Sequence, residues 1–218
     1  MLNQILLNGG RSFRRAVSLL VLLLTISFMH FLTLAQKKKP KERKSKELVA
    51  LVEPQYDPNN WREFQSTDGR FSVVAPGIPA QDIKELPSPE GNISLHTFIV
   101  DANAEYGVTY ADYRSQIEGT ERLAEFLKAV RDAGVKGING RLLDEKEIVF
   151  DGHAGRFYRV EFGDDFVMNT KMFVVGNRLY LVTATTYGRR RALSEVVRSY
   201  EGFAARFIES FKLILANQ

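Results

Sequence analysis

Two histidines outside the apolar N-terminal segment, His96 and His153, are the side chains best suited to acid–base chemistry at neutral pH. Neither belongs to an HExxH motif, the spacing that places two zinc ligands on one helical face. A serine hydrolase needs a nucleophile, a base and an orienting acid in contact, and the chain has no GxSxG elbow. We expect both histidines to be solvated or packed. We therefore predict no catalytic residue, and keep an envelope hydrolase with an unrecognised site as the enzymatic alternative.

The sequence predicts no metal ion and no cofactor. It contains no cysteine, which excludes disulfides, thiolate catalysis and cysteine-ligated metals. Gly134, Gly137 and Gly140 recur every three residues, but they follow a helical pattern instead of joining a strand to a helix, as a dinucleotide fold requires. Gly134 is predicted to end that helix. Asp164 and Asp165 are predicted to form a turn in preference to a calcium site.

The best local candidate for binding is the triplet Arg189, Arg190 and Arg191, directly before the closing helix. Guanidinium groups suit bidentate recognition of anions, and the free N–H groups of a helix start also favour negative charge. The functional interpretation is a site for a small anionic ligand or an acidic protein partner, and the simpler one is a solvated loop. The tyrosines of the strand-like runs could line a pocket, but we predict that they are core: Tyr106, Tyr110, Tyr113, Tyr158, Tyr180 and Tyr187.

The charge of the whole chain is +4, from 30 Lys and Arg against 26 Asp and Glu. Three arginines precede the apolar segment, and the run Lys37–Lys46 holds seven basic residues and one acid. Without those residues the remainder has five more acids than bases, so the positive charge belongs to the N-terminal region. A nucleic-acid-binding domain should itself carry a basic face, and we therefore predict no nucleic-acid partner.

Residues 16–35 contain no formal charge and are the strongest signal for localisation. A basic start, an apolar core and a small residue, here Ala35 before Gln36, are typical of a cleaved signal peptide. The run is also long enough to span a bilayer as an anchor with the domain outside. The basic run that follows would, by the positive-inside rule, favour an inverted anchor with a cytoplasmic domain. We predict an apolar helix within residues 1–35, serving as leader or anchor, and an extracytoplasmic domain.

Residues 36–55 are predicted to be a basic disordered linker, because they are highly charged and have little apolar surface to bury. The linker could also contact anionic lipid. The remaining residues, 56–218, are predicted to form a single domain, since a chain of that length can bury one adequate core.

Turn signals and alternating apolar residues predict the strands of this domain. A DG turn at Asp68-Gly69 joins two short strands, and the proline-rich stretch from Pro76 to Pro89 is predicted to be irregular. Longer strand-like runs cover Ser94–Val100, Glu105–Tyr113, Leu142–Phe150, Ala154–Phe162, Phe166–Val175 and Leu179–Tyr187. Short connections between them imply antiparallel neighbours.

Two helices complete the prediction. The first starts at a capping box, Ser115–Glu118, or at Thr120, and carries an apolar stripe that includes Phe126 and Val130. The second starts near Leu193. The fold class is therefore α+β, an antiparallel sheet of about six strands packed with two main helices.

Several motifs resemble bacterial envelope proteins of the PsbP-like α/β/α sandwich family. They are the opening Trp61…Phe64-x-Ser66-x-Asp68-Gly69-Arg70-Phe71, the turn Asp151-Gly152-x-x-Gly155-Arg156, the hairpin exit Asn177-Arg178-Leu179-Tyr180 and the closing Phe207-x-x-Ser210-Phe211. The resemblance covers about Trp61–Phe211 and implies a fold, with members that are mostly non-catalytic binding or assembly proteins. No ligand residue of that family maps onto this chain. The expected function is a non-enzymatic binding or assembly module, with a membrane-anchored structural protein as a further alternative.

Overall fold

The structure is a computed structural model that describes residues 60–87, 91–102, 104–187 and 194–214. The apolar segment 16–35, the linker 36–55 and the triplet Arg189–Arg191 lie outside these residues, so what the sequence predicts for them stays a prediction. Neither helix of the described part is long and apolar enough to span a membrane.

Ten strands and two helices form the described part of the chain. The strands are β1 (Arg62–Ser66), β2 (Phe71–Ala75), β3 (Ala80–Leu86), β4 (Ile93–Asp101), β5 (Glu105–Asp112), β6 (Arg141–Phe150), β7 (His153–Phe162), β8 (Phe166–Val175), β9 (Arg178–Tyr187) and β10 (Lys212–Leu213). The helices are α1 (Thr120–Gly137) and α2 (Ser194–Ser210). The α+β class and the two main helices are confirmed.

Seven strands form one antiparallel sheet in the order β3-β4-β5-β9-β8-β7-β6. It consists of two meanders, β3 to β5 and β6 to β9, that meet where β5 pairs with β9. The four consecutive strands β6 to β9 confirm the prediction from the turn pattern. Asp151 and Gly152, between β6 and β7, have φ values of 48° and 80°, as the tightest hairpin turns require.

The predicted single sheet of about six strands is wrong, because β1 and β2 form a second sheet with β10. In this small sheet Ser72 of β2 lies opposite Lys212 of β10, so the start and the end of the domain pair with each other. A two-residue strand such as β10 carries no periodicity that the sequence could reveal.

The prediction that residues 76–89 are irregular is wrong for Ala80–Leu86, which form β3. This strand lies at the edge of the large sheet, and of its residues only Leu86 is buried. Charged side chains are common on edge strands, where they discourage pairing with other molecules. They also remove the alternation of apolar and polar residues by which a strand is recognised.

The large sheet is covered on both faces. On one face α1 packs against β7 and β8, with Phe126, Leu127 and Val130 in contact with the sheet. On the other face α2 and the small sheet enclose an aromatic core that includes Phe71 and Phe207. The arrangement is thus a layered sandwich with the large sheet in the middle.

Of the two predicted starts of α1, Thr120 is confirmed and the capping box Ser115–Glu118 is wrong, and the predicted end at Gly134 is also wrong. The helix starts at Thr120 after Gly119, whose φ is 86°, and no side chain caps it, so Ser115–Glu118 is not a capping box. It continues to Gly137, three residues beyond the predicted stop at Gly134. Instead of a stop, Gly134 is a helical residue that faces the sheet, and this places it in the site described next.

Candidate functional site

A half-open cleft of about 150 Å³ lies between α1 and the large sheet. Strands β3, β4, β5, β7, β8 and β9 supply its floor and walls, and one side of α1 supplies its roof. Its apolar lining consists of Leu95, Ile99, Val130, Ile138, Met168 and Leu181. Four threonines, Thr97, Thr109, Thr170 and Thr183, add hydroxyl groups to the same surface. The cleft is therefore amphipathic.

The floor is organised by the pairing of the strands. One row of directly opposed residues crosses the sheet through Ile99, Gly107, Thr183, Thr170 and Tyr158. Their side chains share one face of the sheet, because facing residues of paired strands point to the same side. The row thus brings together residues that are up to about eighty positions apart in the sequence.

Gly107 leaves a gap in the middle of this row. A Cβ atom at Gly107 would lie 2.8 Å from the Oγ1 atom of Thr183, and this hydroxyl lies 3.4 Å from the carbonyl oxygen of Gly107. A glycine inside a strand often marks a place where another group approaches closely. Here the absence of a Cβ atom at Gly107 leaves room for the Thr183 side chain next to β5. It also means that no side chain of Gly107 enters the cleft.

Two further hydroxyl groups lie at the inner end of the row. Thr170 is fully buried, and its Oγ1 atom makes no hydrogen bond within the described residues. The Thr170 hydroxyl lies close enough to Tyr158 to affect the pKa of its phenol, but the two groups do not have hydrogen-bond geometry. Burial raises the pKa of Tyr158 to about 12, and the Thr170 hydroxyl opposes the rise. A buried hydroxyl without a partner is uncommon and offers a hydrogen bond to a ligand.

The row ends at Glu145 of β6, which fixes the position of α1. Glu145 faces Tyr158 across the strands and accepts a hydrogen bond from Arg131 of α1 and another, of 2.8 Å, from Arg156. Arg131 is only 9% exposed. This ion-pair group holds the helix over β6 and β7.

Glu105 brings a carboxylate to the cleft lining at the start of β5. It lies opposite Asp101 of β4. Burial, and secondly the charge of Asp101, raise the pKa of the Glu105 carboxyl to about 7. Among the described residues no Lys, Arg or His makes an ion pair with Glu105. The one cation among the described lining residues, Lys84, pairs with Asp82 at 3.1 Å.

The histidines are not part of this site. His96 stacks on Tyr110 with ring centres 4.5 Å apart, and its buried Nδ1 atom has no hydrogen-bond partner in the described residues. His153 opens β7 beside the turn. The cleft lining contains neither histidine nor serine.

The other predicted features have mainly structural positions. Tyr106, Tyr110 and Tyr180 are buried in the aromatic core, as predicted, whereas the fourth buried tyrosine, Tyr158, also lines the cleft. Asp164 and Asp165 lie in the turn between β7 and β8. Within the described residues no group of three or more metal-ligating side chains occurs.

A second concave surface, around Arg178, is occupied by the protein's own groups. Arg178 donates to both carboxylate oxygens of Asp112 at 2.6 Å and to the carbonyl oxygen of Asp68. Its guanidinium also lies 4.3 Å from the ring centre of Tyr110. The hydroxyl of Tyr180 donates to the carbonyl oxygen of Gly69. These contacts fasten the turn of the small sheet to the large one.

The sequence did not identify Glu105, Gly107, Thr170 or Thr183 as site residues. Gly107 did carry a signal, since it interrupts an otherwise aromatic and β-branched strand. The threonines become meaningful only once the register of β5, β8 and β9 is known.

No protein-family model matches the chain, and no curated protein matches it significantly. The structure is similar to the solution structure of cyanobacterial PsbP (CyanoP) from Synechocystis sp. PCC 6803, with 15% sequence identity and a TM-score of 0.44. The match covers 78% of this chain and 98% of that chain. This likeness is one of fold. It does not identify a ligand.

Proposed function

We propose that the protein is a non-enzymatic binding module that holds a small amphipathic ligand in the cleft between α1 and the large sheet. One observation carries the proposal, namely an accessible cleft whose lining combines six aliphatic side chains with a fully buried, unpartnered hydroxyl, that of Thr170. Ligand pockets typically have such a mainly apolar lining with a few well-placed polar groups.

The proposal includes the cellular setting predicted from residues 16–35. A cleaved leader or an uncleaved anchor would deliver the module to the extracytoplasmic side, and the basic linker would tether it near anionic lipid. In this setting the cleft would collect a ligand at or near the membrane surface.

Because the chain contains no cysteine, a single introduced thiol can report on the cleft in the full chain. Thr183→Cys places the thiol on the cleft floor, and Gly202→Cys places a control thiol on α2, where a Cβ atom would meet nothing within 4 Å. The probe is benzyl alcohol, which is neutral and of suitable size. It should slow the reaction of the Thr183→Cys thiol with methyl methanethiosulfonate and leave the Gly202→Cys thiol unaffected.

A second pair of variants tests whether this protection requires the cleft. Gly134→Leu would fill the cleft from α1, where a Cβ atom has only an ordinary contact, 3.7 Å from the Tyr158 hydroxyl. It should abolish the protection, whereas Gly202→Leu should preserve it. If benzyl alcohol, benzylamine and benzoate all fail to protect the Thr183→Cys thiol, the proposed function is wrong.

A further inference from the structure

We propose that the ligand of the cleft is a small organic cation, an amine with an apolar body, whose ammonium group pairs with Glu105. This inference rests on the proposed function and adds the chemical class of the ligand. It concerns the opposite ligand charge from the anion site predicted at Arg189–Arg191.

The first argument is that Glu105 has no counter-ion among the residues that the structure describes. Its carboxylate is partly buried in the cleft wall and lies opposite a second carboxylate, that of Asp101. Like charges in directly opposed positions destabilise a sheet. The one cation that β3 contributes to the lining, Lys84, is held by Asp82 at 3.1 Å. α1 contributes only Val130 and Gly134 to the lining, and Ile138 follows directly after it, so this side of the cleft brings no charge.

The second argument is the balance of charge in the lining. Asp82 and Lys84 neutralise each other, so the net charge at the cleft comes from Glu105, reinforced by Asp101 outside it. A ligand cation would relieve the repulsion between these two carboxylates, whereas a ligand anion would increase it. The raised pKa of Glu105, about 7, agrees with a carboxylate that is buried without a partner among the described residues.

The third argument concerns the body of the ligand. A volume of about 150 Å³ is similar to that of cavities that accept a benzene-sized ring. The aliphatic residues of the floor, such as Leu181 and Met168, suit such a ring. The unpartnered hydroxyl of Thr170 lies at the inner end, where it could bond to one polar group of a ligand.

Three probes of nearly equal size separate the class of ligand from the existence of a binding site: benzylamine (a cation at neutral pH), benzyl alcohol (neutral) and benzoate (an anion). Each is titrated against the modification of the Thr183→Cys thiol in the full chain at pH 8, and the half-protecting concentrations are compared. We expect benzylamine to protect at a concentration about tenfold lower than benzyl alcohol, as a partly desolvated ion pair would produce. Benzoate should be the weakest of the three.

Glu105→Gln supplies the matched variant, because it keeps the shape and removes the charge. It should eliminate the advantage of benzylamine and leave the protection by benzyl alcohol unchanged. Lowering the pH to 5.5 should have the same effect in the wild-type background, since Glu105 is then protonated. If benzylamine and benzyl alcohol protect equally at pH 8, or if the advantage survives in Glu105→Gln, the cleft binds ligands but the inference of a cation is wrong.

Discussion

The Nζ atom of Lys171 donates a 2.8 Å hydrogen bond to the carbonyl oxygen of Ile208. This bond joins β8 to the last turn of α2, where helix carbonyl groups lack partners within the helix and attract cations. The ammonium group also lies 4.1 Å from the ring centre of Phe150. Lys171 is only 8% exposed, and its burial lowers the pKa of the ammonium group to about 8, with Asp151 and Glu209 opposing the shift.

This relationship predicts how stability changes at alkaline pH. The unfolded lysine keeps its proton up to a pKa of 10.5, whereas the folded one loses it near 8. Between these values the unfolded state binds more protons, so the free energy of unfolding should rise with pH. Lys171→Met should remove this rise. The difference in the free energy of unfolding, wild type minus Lys171→Met, should therefore increase between pH 7 and pH 10 by on the order of 1–3 kcal/mol. Urea unfolding followed by circular dichroism measures this difference.

The control is Lys146→Met, which removes another lysine that lies over an aromatic ring, that of Phe157, but on the exposed strand β6. Its effect on the free energy of unfolding at pH 7 and at pH 10 gives the reference for an exposed lysine. A Lys171→Met difference that stays constant with pH would show that the Lys171 ammonium group is not desolvated in the folded state.

Glu105 should affect stability in the opposite direction and at lower pH. Its carboxyl group holds a proton up to about pH 7 in the folded state, against a pKa of 4.5 when solvated. The folded state thus binds more protons between these values, and the stability that Glu105 contributes at pH 4.5 is lost as the pH rises through 7. The difference in the free energy of unfolding, Glu105→Gln minus wild type, should be larger at pH 8 than at pH 4.5, by on the order of 1–2 kcal/mol.

Thermal unfolding of the two chains at both pH values measures this difference. Glu63→Gln is the matched control, since Glu63 is an exposed side chain of β1. If Glu105→Gln and Glu63→Gln show the same pH profile, Glu105 is solvated and the charge argument for the ligand is weakened independently of any probe.

Two glycines should respond to alanine in opposite ways. A Cβ atom at Gly155 of β7 would lie 2.3 Å from the carbonyl oxygen of Met172 and 2.8 Å from the Cβ atom of Phe173, and neither strand can yield without losing its pairing. Gly155→Ala should destabilise the fold by about 1–3 kcal/mol. Gly202 lies inside α2 with open space around it, and Gly202→Ala should stabilise by about 0.5–1 kcal/mol. Urea unfolding measures both, and equal effects would contradict the packing of β7 against β8.

The elements that the sequence predicted well are those with a strong local pattern. Strands β6 to β9 have alternating residues and turn signals such as Asp151-Gly152, and their bounds agree with the prediction to within one residue. The charged edge strand β3 and the two-residue β10 have no such pattern. Their pairing is decided by tertiary contacts, for example by the approach of Lys212 to Ser72.

The residues of the cleft also have no local sequence pattern from which the site could be predicted. Thr170, Thr183 and Gly107 become neighbours through the registers of β8, β9 and β5, which depend on how the two meanders meet. Glu105 is unusual only because of its burial and its position opposite Asp101. Sequence reasoning favours residue types that can act alone, such as histidine or an arginine triplet. It does not find a site whose properties come from the assembly of common residues.

The predicted export of the chain can be tested with a charge in the apolar segment. Leu23→Arg places an arginine in the middle of residues 16–35, which opposes membrane insertion by about 2.5–3.5 kcal/mol, whereas Leu6→Arg places the same residue outside the segment. We expect the wild type and Leu6→Arg in the envelope, starting at Gln36 if the leader is cleaved or retained in the membrane if it is an anchor. Leu23→Arg should accumulate unprocessed in the cytoplasm.

Fractionation with mass spectrometry of the N-terminus measures where each chain lies and whether it is processed. A full-length wild-type chain dissolved in the cytoplasm would contradict the extracytoplasmic setting of the proposed function. The cleft and its ligand would still be judged by the thiol experiments.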